Sequence, residues 1–300
     1  MQIKALIKFV VLAVSICFLV LYLYENSTSF EGLSSYSIGH AIIIAMLYVT
    51  YFLVNSCVLL ISVRDYAYKC EYLGVSKIAF TSSLLSYAGL FKLGSIGYKV
   101  VALVDDFGVS VKDCAGIILI SAYFSTLLNL LVTIGGAVFL QSLHWLYVPV
   151  LLIPILGFAI MPFMYLQTKN TRLGFIKILN KRLFSSFKVS SVWVFNLYLM
   201  LFFIQLIVGS VITYCLFDGF GRHVGYLNCV LITSISSLAM LISITPANLG
   251  VKEVIYVGLG GVIGVDGPLM IAVSLIDRCI QFIVLLLLTI ISALSRKVRD

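Results

Sequence analysis

The stretch Thr245-Pro246-Ala247-Asn248-Leu249-Gly250-Val251-Lys252-Glu253 places a helix breaker, flexible positions and two opposite charges between long apolar segments. A backbone that stops being helical at membrane depth is tolerated only where protein or trapped water satisfies its freed amide and carbonyl groups. Thr245 can cap a new helix with Pro246 at its first position, so that the positive end of the helix dipole faces that space. We therefore predict that this stretch lines a cavity that attracts anions. A solvated surface turn is the alternative.

A second stretch of related composition, Lys92-Leu93-Gly94-Ser95-Ile96-Gly97-Tyr98-Lys99, lies in the other half of the chain. Both stretches contain Gly-x-Lys, ending at Lys99 and at Lys252, within otherwise apolar sequence. Paired interrupted segments in two halves of a membrane chain are the best sequence indication of a transporter's binding site. We predict that the two stretches meet, with chance similarity as the alternative.

The composition is that of a polytopic helical membrane protein. Apolar residues make up 62% of the chain and charged residues 11%, and the mean hydropathy is +1.14. The longest non-apolar interval, 167–188, is too short for a soluble core, so we predict one integral membrane domain over residues 1–300. This excludes most nucleotide-driven enzymes, and the sequence has no P-loop. Basic cytoplasmic loops explain the net charge of +8, which implies no nucleic acid.

The cysteines and histidines form no recognised ligand motif. The seven cysteines are dispersed among apolar neighbours without Cys-x-x-Cys spacing, as small core residues are. The three histidines lack His-Glu-x-x-His and any carboxylate at ligand spacing. We therefore predict no metal and no cofactor.

Apolar runs and the distribution of Lys and Arg predict the topology. Good spans cover 9–24, 38–63, 114–140, 146–166, 189–217, 226–244 and 268–294, with a short eighth piece at 254–265. The basic loop 167–188 holds no acids, which places that loop and both termini in the cytoplasm. We predict an all-α polytopic protein of the cytoplasmic (inner) membrane with about seven to eight transmembrane helices. Re-entrant or broken helices are predicted near 78–104 and 245–265, with a cytoplasmic amphipathic helix as the alternative for the first.

The short piece 254–265 is rich in glycine. Gly258, Gly260, Gly261 and Gly264 include a Gly-x-x-x-Gly at the second and fourth of these positions. Because small residues let helix backbones approach closely in membranes, we predict that these glycines form a helix-packing face.

Two adjacent charges, Asp277 and Arg278, lie near the middle of the last span. Each would cost about 2.5 to 3.5 kcal/mol at the centre of a lipid-facing helix. Adjacent helical residues point about 100° apart, so each needs its own partner. We predict that Arg278 meets Glu253 and that Asp277 meets Lys252 or Lys99, forming a charged chamber. A merely structural buried ion pair is the alternative.

With these residues in view, the chain resembles the lysylphosphatidylglycerol synthase transmembrane region, also called the flippase-like domain family. Residues 246–253, together with Asp277-Arg278, are similar to that family's Pro-Gly-x-x-Gly-x-Arg-Glu motif and its downstream Arg. Residues 93–99, together with 108–110, are similar to the family's other Gly-rich segment. Lys99 and Lys252 stand where the family usually has Arg, which weakens bidentate phosphate recognition but keeps the charge. Ala247 and Asn248 replace glycines, and Ser121-Ala122-Tyr123 occupies the region of an early Glu-Arg pair.

The resemblance implies a lipid flippase. This chain has no aminoacyl transferase extension, so lipid synthesis is expected to be absent. Stand-alone relatives are similar to proteins encoded among polysaccharide and glycolipid assembly genes, which implies envelope-biosynthesis proteins as partners and a lipid, such as a polyprenyl-phosphate-linked one, as cargo. We predict a non-enzymatic transporter of an anionic phospholipid or lipid-linked glycan. The candidate head-group residues are Lys92, Gly97, Lys99, Pro246, Gly250, Lys252, Glu253, Asp277 and Arg278.

Two other functions stay open at this point. A membrane-embedded transferase acting on a lipid phosphate would need paired catalytic groups, and Asp105-Asp106 is the only adjacent acid pair in the sequence. That pair falls in a predicted cytoplasmic turn, where plain solvation explains it. The third reading is a structural partner in cell-envelope polysaccharide assembly.

Overall fold

The computed structural model describes residues 36–87, 91–139, 191–239 and 251–297. Within these ranges the chain forms helices and no strands, which confirms the predicted all-α class. The helices are α1 (Ile38–Asp65), α2 (Tyr72–Tyr87), α3 (Phe91–Phe107), α4 (Val111–Phe139), α5 (Val192–Asp218), α6 (Tyr226–Ala239), α7 (Val251–Ile263) and α8 (Gly267–Lys297). The predicted spans 9–24 and 146–166 and the basic loop 167–188 lie outside the described residues.

Four of the described helices, α1, α4, α5 and α8, are long and apolar enough to cross a membrane. They coincide with the predicted runs 38–63, 114–140, 189–217 and 268–294. The chain is therefore a multi-pass membrane protein. Each of these helices buries one side and leaves large apolar side chains exposed on the other, for example Met46 on α1 and Leu287 on α8. Exposed apolar faces are what a lipid-facing surface requires.

The bundle is centred on the contact between α1 and α5, with α6 packed against α4 and α5 and α8 packed against α2 and α7. Aromatic and branched side chains fill the shared core, including Tyr48, Phe217 and Leu285. Small residues permit the close approaches: a Cβ on Gly209 of α5 would lie 3.0 Å from the Thr233 methyl group of α6. Close packing of this kind drives helix association where lipid removes the hydrophobic advantage.

Two helices occupy the region 78–104, where a broken or re-entrant segment is predicted. Helix α2 ends at Tyr87 and α3 begins at Phe91, and the two pack against each other. Helix α3 ends at Phe107. The next residue, Gly108, has a φ of 67°, which suits glycine, and its amide donates to the Val104 carbonyl at 2.9 Å.

The Gly-x-Ser sequence at 108–110 joins this helix end to the start of α4. Ser110 accepts a hydrogen bond from the Asp113 amide at 3.1 Å, as a helix cap does. The Tyr68 hydroxyl donates to Asp113 at 2.7 Å and so fixes the junction from the α1–α2 loop. Asp105 and Asp106 are exposed, in agreement with plain solvation of that acid pair.

Helix α7 is followed at once by α8, so the two form an antiparallel hairpin. Gly264 has a φ of 72°, and the Val265 amide donates to the Gly260 carbonyl at 2.9 Å, which is the bond that closes a Schellman motif. With 13 residues, the described α7 is about 20 Å long, shorter than the bilayer core of about 30 Å. The described part of α7 is therefore too short to cross the bilayer core by itself.

The predicted packing role of the four glycines holds at one of them. A Cβ on Gly260 would lie 2.7 Å from the Val265 carbonyl oxygen and 2.8 Å from the Met270 side chain. No atom of the described residues would lie within 4 Å of a Cβ on Gly258 or Gly261, and Gly264 ends the helix. Among the described residues, close packing is therefore seen at Gly260, and Gly264 makes the turn; a face shared by all four glycines stays a prediction.

Candidate functional site

Four charged side chains on the α7–α8 hairpin form two ion pairs inside the bundle. Lys252 Nζ donates to Asp277 Oδ2, and Arg278 Nη2 lies 2.9 Å from Glu253 Oε1 and 3.2 Å from Oε2. Both pairs were predicted from the sequence. We call these residues the ion quartet. Glu253 is 3% exposed, Asp277 4% and Arg278 8%, so the charges lie away from bulk solvent.

The hairpin explains why adjacent charges pair with adjacent charges. Consecutive residues on a helix point about 100° apart, so neither Lys252 with Glu253 nor Asp277 with Arg278 shares one direction. Because α7 folds back along α8 through a short turn, two neighbouring positions on one helix face two on the other. The cation of α7, Lys252, then meets the anion of α8, Asp277. The anion of α7, Glu253, meets the cation of α8, Arg278.

Hydroxyl groups complete the coordination of both carboxylates. Ser274, one turn before Arg278, donates to Glu253 Oε1 at 2.9 Å. The Tyr48 hydroxyl of α1 donates to Asp277 Oδ1. Lys252 Nζ also lies 5.1 Å from the centroid of the Tyr256 ring, within cation–π range. A buried carboxylate needs such donors in addition to its counter-ion.

A cavity of about 110 Å³ opens beside the quartet, between α1, α2, α5, α6, α7 and α8. We call it the chamber. Lys252, Asp277 and Arg278 line it, and so do four tyrosines, Tyr48, Tyr51, Tyr87 and Tyr256. The other polar lining residues are Thr213, Thr233, Ser236, Ser237 and Gln281. One water needs about 10 to 15 Å³ by this kind of measure, so the chamber can hold several waters or a polar group of similar size.

The net charge of the quartet is zero, which makes it tolerable within a membrane protein. Burying an isolated charge costs several kcal/mol, and a close partner with further hydrogen bonds offsets that cost. Ionisable groups within membrane spans are rare and usually mark pathways for polar solutes. The quartet therefore defines the candidate site.

The predicted residues of the second stretch stand elsewhere in the described part of the chain. Lys99 and Gly97 lie on α3, whose main packing partners are α2 and α4, whereas α7 packs on α8 and α6. Lys252, and not Lys99, occupies the position against Asp277. Among the described residues, the chamber lining includes neither Lys99 nor Gly97. Among the described residues, the two stretches therefore do not meet as predicted. Helix α2 packs against both α3 and α8 and so separates α3 from the hairpin.

Three other predicted residues cannot be placed in the chamber. Lys92 lies on α3, but its side chain is not described. Pro246 and Gly250, with the proposed Thr245 cap, lie outside the described residues. Their role at the site stays a prediction.

Sequence reasoning missed the tyrosines and most of the hydroxyl residues around the chamber. One signal was available on α8, where Gln281 follows Asp277 by one turn and accepts a hydrogen bond from the Tyr87 hydroxyl. Another was the hydroxyl-rich run on α6, from Thr233 to Ser237, within an otherwise apolar helix. The tyrosines on α1 and α2 gave no such signal, since tyrosine is common in membrane spans.

The histidines prove less isolated than the sequence suggested. His40 Nε2 lies 3.0 Å from Asp218 Oδ2, and His223 Nδ1 lies 3.1 Å from Asp218 Oδ1. Together with the bond from the Ser37 amide to the Gly219 carbonyl at 3.2 Å, these contacts hold the start of α1 to the end of α5. No cluster that could hold a metal ion was found in the part of the chain that the structure describes.

A comparison with known families agrees with this architecture. The family model described as "Lysylphosphatidylglycerol synthase TM region" matches residues 91–289, which is more than half of the chain. The matched range includes α3 to α7 and most of α8, and therefore the whole ion quartet. No curated protein matches the chain.

Proposed function

Because this chain belongs to the family of the lysylphosphatidylglycerol synthase transmembrane region, we propose that it moves a lipid head group across the membrane. The observation that carries the proposal is the ion quartet on the wall of a polar chamber, among helices long enough to cross a membrane. A chamber of this kind offers a polar head group the hydrogen bonds that hydrocarbon cannot supply.

The protein has a polar chamber inside and an apolar surface outside, which suits a lipid with a polar head group and apolar acyl chains. A head group that leaves water without new partners loses several kcal/mol, which is the main barrier to its crossing. The polar lining of α1, α6 and α8 would replace those water contacts, while the acyl chains stay in the bilayer against the exposed apolar side chains of the same helices.

The finer parts of the proposal follow from the sequence. The cargo is an anionic phospholipid or a lipid-linked glycan, for instance a polyprenyl-phosphate-linked one. The chain acts as a transporter without catalysis or cofactor, in the cytoplasmic membrane with both termini in the cytoplasm, beside envelope-biosynthesis proteins. The basic loop 167–188 and the basic C-terminal residues support this orientation.

Reconstitution into proteoliposomes tests the function. Lipids with a fluorescent head-group label are placed in both leaflets, and a membrane-impermeant reductant destroys the outer label. We expect wild-type protein to expose nearly all of the label to the reductant, because it carries inner-leaflet lipid outward. Protein-free vesicles should protect about half of the label, which the impermeant reductant cannot reach.

Asp277→Asn should slow this exchange at least tenfold, since it leaves Lys252 without its counter-ion. Asp266→Asn is the matched control, because Asp266 is an exposed acid on the turn of the same hairpin. Equal rates for Asp277→Asn and wild type would contradict the proposal. A new lipid product by mass spectrometry would instead indicate a transferase, and neither exchange nor product would indicate a structural role.

A further inference from the structure

The charges around the chamber offer little net attraction to an anion. Each cation of the quartet already holds a carboxylate, Lys252 with Asp277 and Arg278 with Glu253. The eleven-residue sequence that precedes α7, MLISITPANLG at 240–250, contains no Lys, Arg, Asp or Glu. The quartet therefore carries no net charge, and recognition of a ligand must depend on the hydrogen-bonding groups that line the chamber.

Four of these groups present only acceptors to the chamber. A hydroxyl has a single hydrogen, and two of the lining residues on α6 use it within the helix. Thr233 donates to the Cys229 carbonyl at 2.8 Å, and Ser237 donates to the Thr233 carbonyl at 2.8 Å. Tyr48 donates to Asp277 and Tyr87 to Gln281 in the same way. Toward the chamber these four oxygens can only accept.

The Ser236 hydroxyl remains available as a donor. Ser236 is 9% exposed and lines the chamber, and its Oγ has no hydrogen-bond partner among the described residues. The Tyr256 hydroxyl lies close enough to Ser236 to interact with it, but the contact does not meet the geometry of a hydrogen bond. A buried hydroxyl without a partner is costly, and a ligand that accepts and donates at this point would remove that cost.

We propose that the chamber binds an uncharged, polyhydroxylated head group, the sugar or polyol part of a lipid. This rests on the proposed function and names the class of its cargo. A fully ionised phosphate group carries acceptors only, so it would face the acceptor oxygens of Thr233, Ser237, Tyr48 and Tyr87 without a hydrogen between them. A sugar hydroxyl donates to such oxygens and accepts from Ser236.

The tyrosines favour the same ligand. Their rings give the chamber flat apolar surfaces with polar edges, which match the apolar faces and hydroxylated rim of a sugar ring. An ammonium head group would also bring donors. It would, however, share the chamber with Lys252, whose Nζ already lies 5.1 Å from the Tyr256 ring centroid, and with Arg278.

Direct binding tests this without requiring transport. Full-length protein in nanodiscs is titrated with two short-chain lipids, a monoglycosyl diacylglycerol and a phosphatidic acid, and binding is followed by intrinsic fluorescence. We expect the glycosyl lipid to bind at least tenfold more tightly. Ser236→Ala with Ser237→Ala should reduce its affinity roughly tenfold and leave phosphatidic acid unchanged, as expected for two lost hydrogen bonds.

Ser234→Ala provides the matched control. Ser234 lies on the same helix, is fully buried and donates to the Val230 carbonyl at 2.8 Å, but it does not line the chamber. The affinity of the Ser234→Ala variant for the glycosyl lipid should equal that of the wild-type protein. Equal or tighter binding of phosphatidic acid, no binding of the glycosyl lipid, or no effect of the double variant would overturn the inference. Glycosyl-lipid binding without transbilayer exchange would overturn the proposed function alone.

Discussion

At the scale of single residues, the central feature is that each buried charge of the quartet is paired with a charge of opposite sign. Glu253 accepts from both Arg278 and Ser274, and Arg278 contacts both carboxylate oxygens. Removal of one member leaves an uncompensated charge, whereas removal of both leaves a smaller, mostly apolar defect. This asymmetry distinguishes a true pair from two charges that happen to be close.

A double-mutant cycle measures it. Glu253→Ala or Arg278→Ala alone should lower the free energy of unfolding by about 3 to 5 kcal/mol, because the remaining charge is buried without its partner. The double variant should lose clearly less than the sum of the two losses. The measurement is reversible unfolding in mixed detergent micelles, followed by circular dichroism.

The control for this cycle pairs Glu253→Ala with Asp266→Asn, a substitution at an exposed turn position outside the quartet. Those two losses should add. If the losses of Glu253→Ala and Arg278→Ala add in the same way, the two residues are not coupled.

At the scale of the element, the α7–α8 hairpin brings the quartet together, and Gly260 sets how closely its two helices approach. A Cβ at this position would lie 2.7 Å from the Val265 carbonyl oxygen, a backbone atom that cannot turn aside. A Cβ on the next residue, Gly261, would have no atom of the described part of the chain within 4 Å. The two glycines therefore have opposite tolerance to the same substitution.

We expect Gly260→Ala to lower the free energy of unfolding by about 1 to 3 kcal/mol, the usual range for overpacking. Gly261→Ala should be neutral or stabilise by up to about 1 kcal/mol, because alanine is the better helix former. Unfolding midpoints of the two variants in detergent provide the test. A Gly260→Ala variant as stable as Gly261→Ala would show that the hairpin is not closely packed there.

The ion quartet could be predicted from the sequence because its members lie near one another along the chain. Asp277 and Arg278 are two charges within one apolar run. Apart from Asp266 in the turn, Lys252 and Glu253 are the nearest charges before that run, so few partners were available. Gly260 and Gly264 could not be told apart in this way, because a Gly-x-x-x-Gly indicates close packing but does not say where the helix ends.

The position of Lys99 in the fold could not be predicted from nearby sequence, for a different reason. Its Gly-x-Lys resembles that of Lys252, but whether two such segments meet depends on which helices lie between them. Helix α2 packs against both α3 and α8, a relation between distant parts of the chain that no local pattern records. The tyrosines of the chamber were missed on the same ground, since Tyr48 and Tyr87 reach α8 from separate helices.

At the scale of the whole molecule, the account requires a polar space within a bundle whose outer surface faces lipid. Ser237 lines that space, and Ser234, three residues earlier on α6, is fully buried and does not. Both are serines that donate to a carbonyl of their own helix at 2.8 Å. A reagent that enters the chamber from water should distinguish them.

The most direct measurement is the labelling of Ser237→Cys and Ser234→Cys, each in a variant without native cysteines, by a membrane-impermeant thiol reagent in proteoliposomes. We expect Ser237→Cys to react at least tenfold faster than Ser234→Cys, because only the first lines the polar chamber. A lipid that occupies the chamber should slow the first reaction only. Equal labelling of the two variants, or none of Ser237→Cys, would contradict a water-accessible chamber beside the ion quartet.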